Sequence, residues 1–316
     1  MFANRSRCLA LAAAISAITF NAASAAEPAS CGKVRFSDVG WTDITATTAT
    51  ATVLLKSLGY ETDVKLLSVP VTYTSLKNKD IDVFLGNWMP TMEGDIAPYR
   101  ADKSVETLRE NLTGAKYTLA TNAKGAELGI KDFKDIAAHS SDLGGKIYGI
   151  EPGNDGNRLI LDMVAKDTFG LKSFEVVESS EQGMLSQVAR AEKSHEPIVF
   201  LGWEPHPMNA NFKLTYLTGG DEVFGPNLGG ATIYTNVRKG YTQECPNVGV
   251  LLKNMEFTLP MENEIMGKIL NDGLEGEVAA TAWLKANPAA IEPWLANVKT
   301  KDGSDALPAV KKALGL

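Results

Sequence analysis

The sequence predicts a two-lobed α/β protein, each lobe a mainly parallel sheet flanked by helices, with a cleft between the lobes. Three observations predict it. Strand-like and helix-like segments alternate along the chain, an order that favours crossover connections and parallel sheets. Two segments nearly repeat each other, Val83-Phe84-Leu85-Gly86-Asn87-Trp88-Met89-Pro90 and Val199-Phe200-Leu201-Gly202-Trp203-Glu204-Pro205. Each reads as a buried strand stopped by its Gly, with the Trp just past the end and Pro two positions later. Removal of an export signal leaves about 290 residues, for which two domains are the better expectation than one core.

The signal is read from Arg5 and Arg7, the apolar stretch from Cys8 to Phe20, and Ala22-Ala23-Ser24-Ala25. A basic start, an apolar middle and a small-residue exit describe a secretory signal peptide over residues 1–25. No other stretch approaches the roughly 18 apolar residues that a membrane span requires. The mature chain is therefore expected to be exported and soluble.

A strand ending near Gly40 leads to Trp41, and 43–58 reads as a helix stopped by Gly59. Residues 62–69 follow as a strand, 71–77 as a short helix and 82–85 as a third strand. A fresh cycle begins after the polar 110–114: strand 117–120, helix 131–138, strand 146–150, a turn at 151–156, helix 157–166, strand 174–178, helix 182–193 and strand 198–201. Residues 231–237 then read as a strand and 261–314 as largely helical. After signal removal two cysteines remain, Cys31 and Cys245, and in an oxidising compartment such a pair reads as a disulfide. It would close a loop of roughly 200 residues, worth on the order of 5 kcal/mol in the chain-entropy model. It also ties the start of the mature chain to its tail. Residues 26–113 and 219–316 are thus expected to form lobe 1 and 114–218 an inserted lobe 2, with hinge crossings near 112–116 and 216–220.

The formal charge is −7, with 38 acidic against 31 basic residues, and it becomes two units more negative when Arg5 and Arg7 leave. An acidic chain without a basic run argues against nucleic acid. It permits a cationic ligand, although solubility alone accounts for such a balance.

Trp41, Trp88 and Trp203 all fall at strand ends, where open α/β sheets place their ligand crevices. Tyr117 adds a fourth aromatic wall. Rings in such a cleft suit a positive charge without hydrogen-bond donors, as in a trimethylammonium group. Trp283 and Trp294 lie in the helical tail and read as packing. Asp43 has two readings, the N-cap of the next helix or a carboxylate facing the cleft. Asn154, in the turn Pro152-Gly153-Asn154-Asp155-Gly156-Asn157, likewise reads as a helix cap or as an amide that meets a ligand hydroxyl. That turn lacks the Gly-Lys-Ser/Thr of a phosphate loop and does not fit G-x-G-x-x-G. Neither G-x-S-x-G nor H-E-x-x-H occurs, and His139, His195 and His206 lack metal-ligand spacing. The reading is a binding protein, with no catalytic residue, metal or cofactor.

With the segments Gly40-Trp41-Thr42-Asp43, Gly86-Asn87-Trp88-Met89-Pro90, Lys116-Tyr117-Thr118, Pro152-Gly153-Asn154-Asp155 and Gly202-Trp203-Glu204-Pro205 in place, the chain resembles the substrate-binding proteins of quaternary-amine ABC importers. The similarity runs through essentially the whole mature chain. It implies a type II periplasmic binding protein, a monomer in the periplasm that delivers choline to a membrane permease. Glycine betaine or another methylated amine is the alternative ligand, and acetylcholine a further one. By the same resemblance Trp41, Trp88, Tyr117 and Trp203 would form an aromatic box, Asp43 would contact the cationic head, Asn154 would meet the choline hydroxyl, and Cys31 would pair with Cys245. The reading from a different class, an exported choline-ester or phosphocholine hydrolase, lacks a nucleophile or metal site in the sequence.

Overall fold

The computed structural model describes residues 27–316, so the expected signal peptide, 1–25, lies outside the described residues. Nine strands, β1 (Lys33–Asp38), β2 (Glu61–Leu66), β3 (Val83–Met89), β4 (Val105–Asn122), β5 (Lys146–Tyr148), β6 (Glu175–Val177), β7 (Val199–Glu204), β8 (Leu214–Tyr216) and β9 (Gly230–Arg238), form one sheet. Its order is β2-β1-β3-β9-β4-β7-β5-β6, with β8 paired to β4. The sheet has two parallel wings. In one, β1 pairs with β2 and β3; in the other, β5 pairs with β6 and β7. Antiparallel β9 and β4 join the wings. This is the two-lobed α/β architecture expected, with the lobes continuous through one sheet.

Three local expectations change. Polar 110–114 is no connecting loop but part of the 18-residue β4, where the register against β9 shifts at three points. A bulged strand alternating polar and apolar residues looks like a break when read as sequence. The helix expected over 131–138 is replaced by two 3-10 turns, Phe133–Asp135 and Ala137–His139. Asp132 and Asp135 cap each other's backbone there, which closes a single tight turn instead of propagating a helix. Finally, Trp88 and Trp203 lie inside β3 and β7, not past them. Gly86 and Gly202 do not stop these strands; they permit close contact, since a Cβ on Gly86 would stand 2.8 Å from Ile44 and one on Gly202 2.9 Å from Ala120.

The helix Thr42–Ser57 is buried along almost its whole length between the sheet and the helices Leu259–Leu270 and Gly276–Ala286. Its threonines suit this position. Thr47 and Thr50 return their hydroxyls to the carbonyls of Asp43 and Ala46, 3.1 and 2.8 Å away, which satisfies these two, whereas the buried hydroxyls of Thr48 and Thr52 have no partner. Small side chains also allow close approach, and a Cβ on Gly276 would lie 3.1 Å from Thr45. The Cys31–Cys245 disulfide is formed, with Cα atoms 5.5 Å apart and a sequence separation of 214. Beside it, the Glu27 carboxylate accepts the amides of Asn247 and Val248, the opening turn of the helix Pro246–Asn254. The start of the described chain is thus fastened to its helical tail.

Candidate ligand-binding site

Where β1 ends, the Asp38 carboxylate accepts the Gly40 amide and the Thr45 hydroxyl, each at 2.7 Å. Gly40 takes φ +85°, a conformation that side chains rarely adopt, and the chain turns sharply into the helix Thr42–Ser57. That turn sets Trp41 and Asp43 on one cavity wall. β3 adds Trp88, and the adjacent antiparallel strands β4 and β7 add Tyr117 and Trp203, which stand opposite each other in register. Together with Ile150 these side chains line one small pocket. The rings cross rather than stack. Trp88 and Tyr117 have centroids 5.9 Å apart at 63°, and Tyr117 and Trp203 6.2 Å apart at 85°. Faces and edges therefore surround one small space.

Asp43 is the charged group in this wall, and it is 1% exposed. It does not cap the helix: the N-cap position is Trp41, and no side chain of the helix's own start bonds there. Its Oδ2 accepts the Trp88 indole N–H at 3.1 Å, whereas Oδ1 has no partner. Burial, and then the Glu181 carboxylate, push the Asp43 carboxyl up to about 8. A buried carboxyl raised this far keeps its charge at neutral pH only where a cation compensates it.

Asn154 stands outside the lining. It caps the helix Asp155–Ala165, its Oδ1 accepting both the Asn157 amide at 3.1 Å and the Tyr117 hydroxyl at 2.9 Å. The cap thereby fixes the tilt of a box ring. Sequence reading missed Ile150, which follows β5 by two residues and joins the lining. It also missed an outer layer of acids. Glu151 accepts the Trp41 indole N–H at 2.9 Å, and burial pushes its carboxyl up to about 7; burial likewise pushes Asp155 to about 6. Glu262, on Leu259–Leu270, is raised well above the usual range by burial and then by Asp43. Among the described residues, Asp43, Glu151, Asp155 and Glu262 have no ion-pair partner. His206, read from sequence as a loop residue, is 1% exposed and bonds Glu181 at 3.1 Å. Among the described residues no three or more His, Cys, Asp or Glu side chains are grouped to hold a metal ion, and no helix is long and apolar enough to cross a membrane.

Residues 32–286 match the model of the substrate-binding domain of ABC-type glycine betaine transport systems. The chain belongs to this family. Among solved structures of the family, an ABC-transporter choline-binding protein in complex with choline is 82% identical, covering 92% of this chain and 100% of its own, with a TM-score of 0.91. An ABC-transporter choline-binding protein in an unliganded semi-closed conformation is also 82% identical, covering 91% of this chain and 100% of its own, with a TM-score of 0.84. The present structure, with its rings drawn together, is nearer the liganded form. The glycine betaine/carnitine transport binding protein GbuC of Listeria monocytogenes is 34% identical over 133 residues, 42% of this chain and 43% of that protein. A family of transport binding domains places the chain's work in ligand capture outside the cytoplasm.

Proposed function

We propose that this protein is the periplasmic choline receptor of an ABC importer, exported by removal of residues 1–25, and that it hands choline to its permease as a monomer. In this reading residues 26–113 and 219–316 form one lobe and 114–218 the other, with one crossing inside β4 and the other near residues 216–220. The observation that carries the ligand assignment is the unpartnered Oδ1 of Asp43 inside a box of four aromatic rings. Trimethylammonium answers both features: it brings the missing positive charge, and its methyls prefer ring faces to water. Four rings at up to about 2 kcal/mol each give roughly 8 kcal/mol gross, the scale of a micromolar complex before association costs.

Asp43 also decides between ligands of equal methylation. A carboxylate on the ligand, as in glycine betaine, would bring a second negative charge into the dry space that already holds Asp43, whereas the choline hydroxyl brings none. Asn154 acts through Tyr117, whose hydroxyl it orients. Calorimetric titration with choline, acetylcholine, glycine betaine and ethanolamine tests the assignment. Choline is expected to bind at least tenfold more tightly than glycine betaine, and ethanolamine hardly at all. Equal binding of choline and ethanolamine would reject the box as an onium site.

A further inference from the structure

The helix Thr42–Ser57 begins without a cap of its own, because Trp41 at the N-cap position makes no side-chain bond to it. Its first amide is instead held from 139 residues away. Glu181, at the start of the helix Glu181–Ser194, accepts the Thr42 amide on Oε2 at 2.8 Å and the Thr42 hydroxyl on Oε1. The same Oε1 lies 3.1 Å from His206 Nε2, and His206 Nδ1 accepts the Met208 amide at 2.9 Å, so the ring hydrogen points to Glu181. Glu181 and His206 are each 1% exposed. Both anchors adjoin the aromatic box. Thr42 stands between Trp41 and Asp43, and the His206 ring packs edge-on against Trp203 with centroids 4.9 Å apart.

Glu181 therefore does two opposed things. Its hydrogen bonds supply the capping that one lobe's helix lacks, and they exist only when the lobes meet. Its charge arrives beside Asp43, already short of a partner, in a dry region where like charges repel strongly. The groups facing this region are Trp88 from β3, Asp38 at the end of β1, Glu262 from Leu259–Leu270, and His206 after β7. Three of the four are acids or neutral donors, and the fourth, the His206 ring with its Nδ1 accepting the Met208 amide, bonds Glu181 and not Asp43.

We propose that Glu181 makes closure conditional on a cation: it latches the lobes through Thr42, and its charge against Asp43 holds the empty protein open until an onium head enters the box. The inference rests on the choline assignment and lobe division above. Glu181 is a positioning residue, since it lines no part of the cavity.

Small-angle scattering of the full mature chain, with and without choline, reads closure, and calorimetry on the same samples reads binding. The wild-type protein at pH 8.5 is expected to compact only when choline is added. Glu181→Gln keeps one acceptor, for the Thr42 amide, and loses the charge together with the acceptor for His206, so it should be more compact than the wild type when empty and still bind choline. Glu181→Ala loses the latch as well and should stay extended when empty and bind choline at least tenfold more weakly. A second measurement needs no variant: acidifying the empty wild-type protein to pH 6, which protonates Asp43, should compact it. An empty Gln variant as extended as the empty wild type, or an empty wild type indifferent to acidification, would overturn the latch. Absence of choline binding by the wild type would instead strike the ligand assignment, so the two failures are distinguishable.

Discussion

At the end of β3 the chain carries one residue more than at the end of β7: Asn87 stands between Gly86 and Trp88, whereas Trp203 follows Gly202 directly. The extra residue accompanies a register shift against β9 between Phe84 and Asn87. Asn87 is buried, and its Oδ1 accepts the Tyr73 hydroxyl at 2.9 Å. Gly86 closes onto Ile44, so the end of β3 lies against the first turn of the helix Thr42–Ser57 and the Trp88 N–H reaches Asp43. On β7 the ladder runs evenly against β4, and Trp203 meets rings, those of Tyr117 and His206. Two nearly identical strand endings thus contribute unlike things. The first aims an indole at a carboxylate, and the second supplies aromatic surface. In the proposed reading, charge recognition and methyl recognition are divided between the halves of the site.

Asp43→Asn breaks this division most severely. It keeps the shape of the charged half and removes its charge, and deleting one member of a buried charge pair typically costs about 2 to 5 kcal/mol. Choline affinity is expected to fall by roughly 30-fold or more, while glycine betaine gains relative to choline because its carboxylate is no longer repelled. Paired titrations with the two ligands measure the ratio. If Asn leaves that ratio unchanged, Asp43 is not the discriminating group.

Acidification tests the same half without a mutation. The Asp43 carboxyl is pushed up to about 8 by burial first and the Glu181 charge second, against an ordinary value of 3.8. A folded value above the unfolded one means that this group's contribution to the empty closed form is fully present below about 4 and is lost as pH rises through about 8. Bound choline demands the ionised form, so its affinity should weaken as pH falls below about 8, approaching tenfold per pH unit. Across two units the loss is roughly a hundredfold. Trp203→Ala should lower affinity at every pH and leave the slope intact, whereas Asp43→Asn should flatten it. Titrations at intervals from pH 6 to pH 9 decide between these outcomes.

How far the sequence announced this arrangement depends on the range of each interaction. Trp41, Trp88, Tyr117 and Trp203 were legible because apolar runs locate strand ends, and strand ends locate the crevice. The parallel wings followed from the alternation of elements. Strand β4 was not legible as one strand, since its polar middle and Gly114 imitate a turn, and only its pairing with β9 overrides them. Asp43 remained balanced between cap and ligand group because the two roles require the same residue at nearly the same place. Tertiary contact with Trp88 separates them. Glu181 gave no local signal at all: an acidic residue opening a helix is ordinary, and its partner Thr42 lies 139 residues earlier.

The smallest effect compares the two indoles directly. Phenylalanine in place of either Trp88 or Trp203 keeps an aromatic face and trims similar ring area, so loss of surface is nearly common to both variants. Only Trp88→Phe also removes an N–H from Asp43. A hydrogen bond to a charged group contributes about 1.5 kcal/mol at the low end of its range, so Trp88→Phe should bind choline roughly tenfold more weakly than Trp203→Phe. The pH profile supplies the second axis. The Trp88 N–H holds the Asp43 carboxyl lower than burial alone would leave it, so its loss should move the acid weakening of choline binding to higher pH, while Trp203→Phe leaves the midpoint in place. Equal affinities with equal midpoints in calorimetric titrations of the two variants would mean that the halves of the site are not divided as their hydrogen bonds suggest, and that both tryptophans act only as surface.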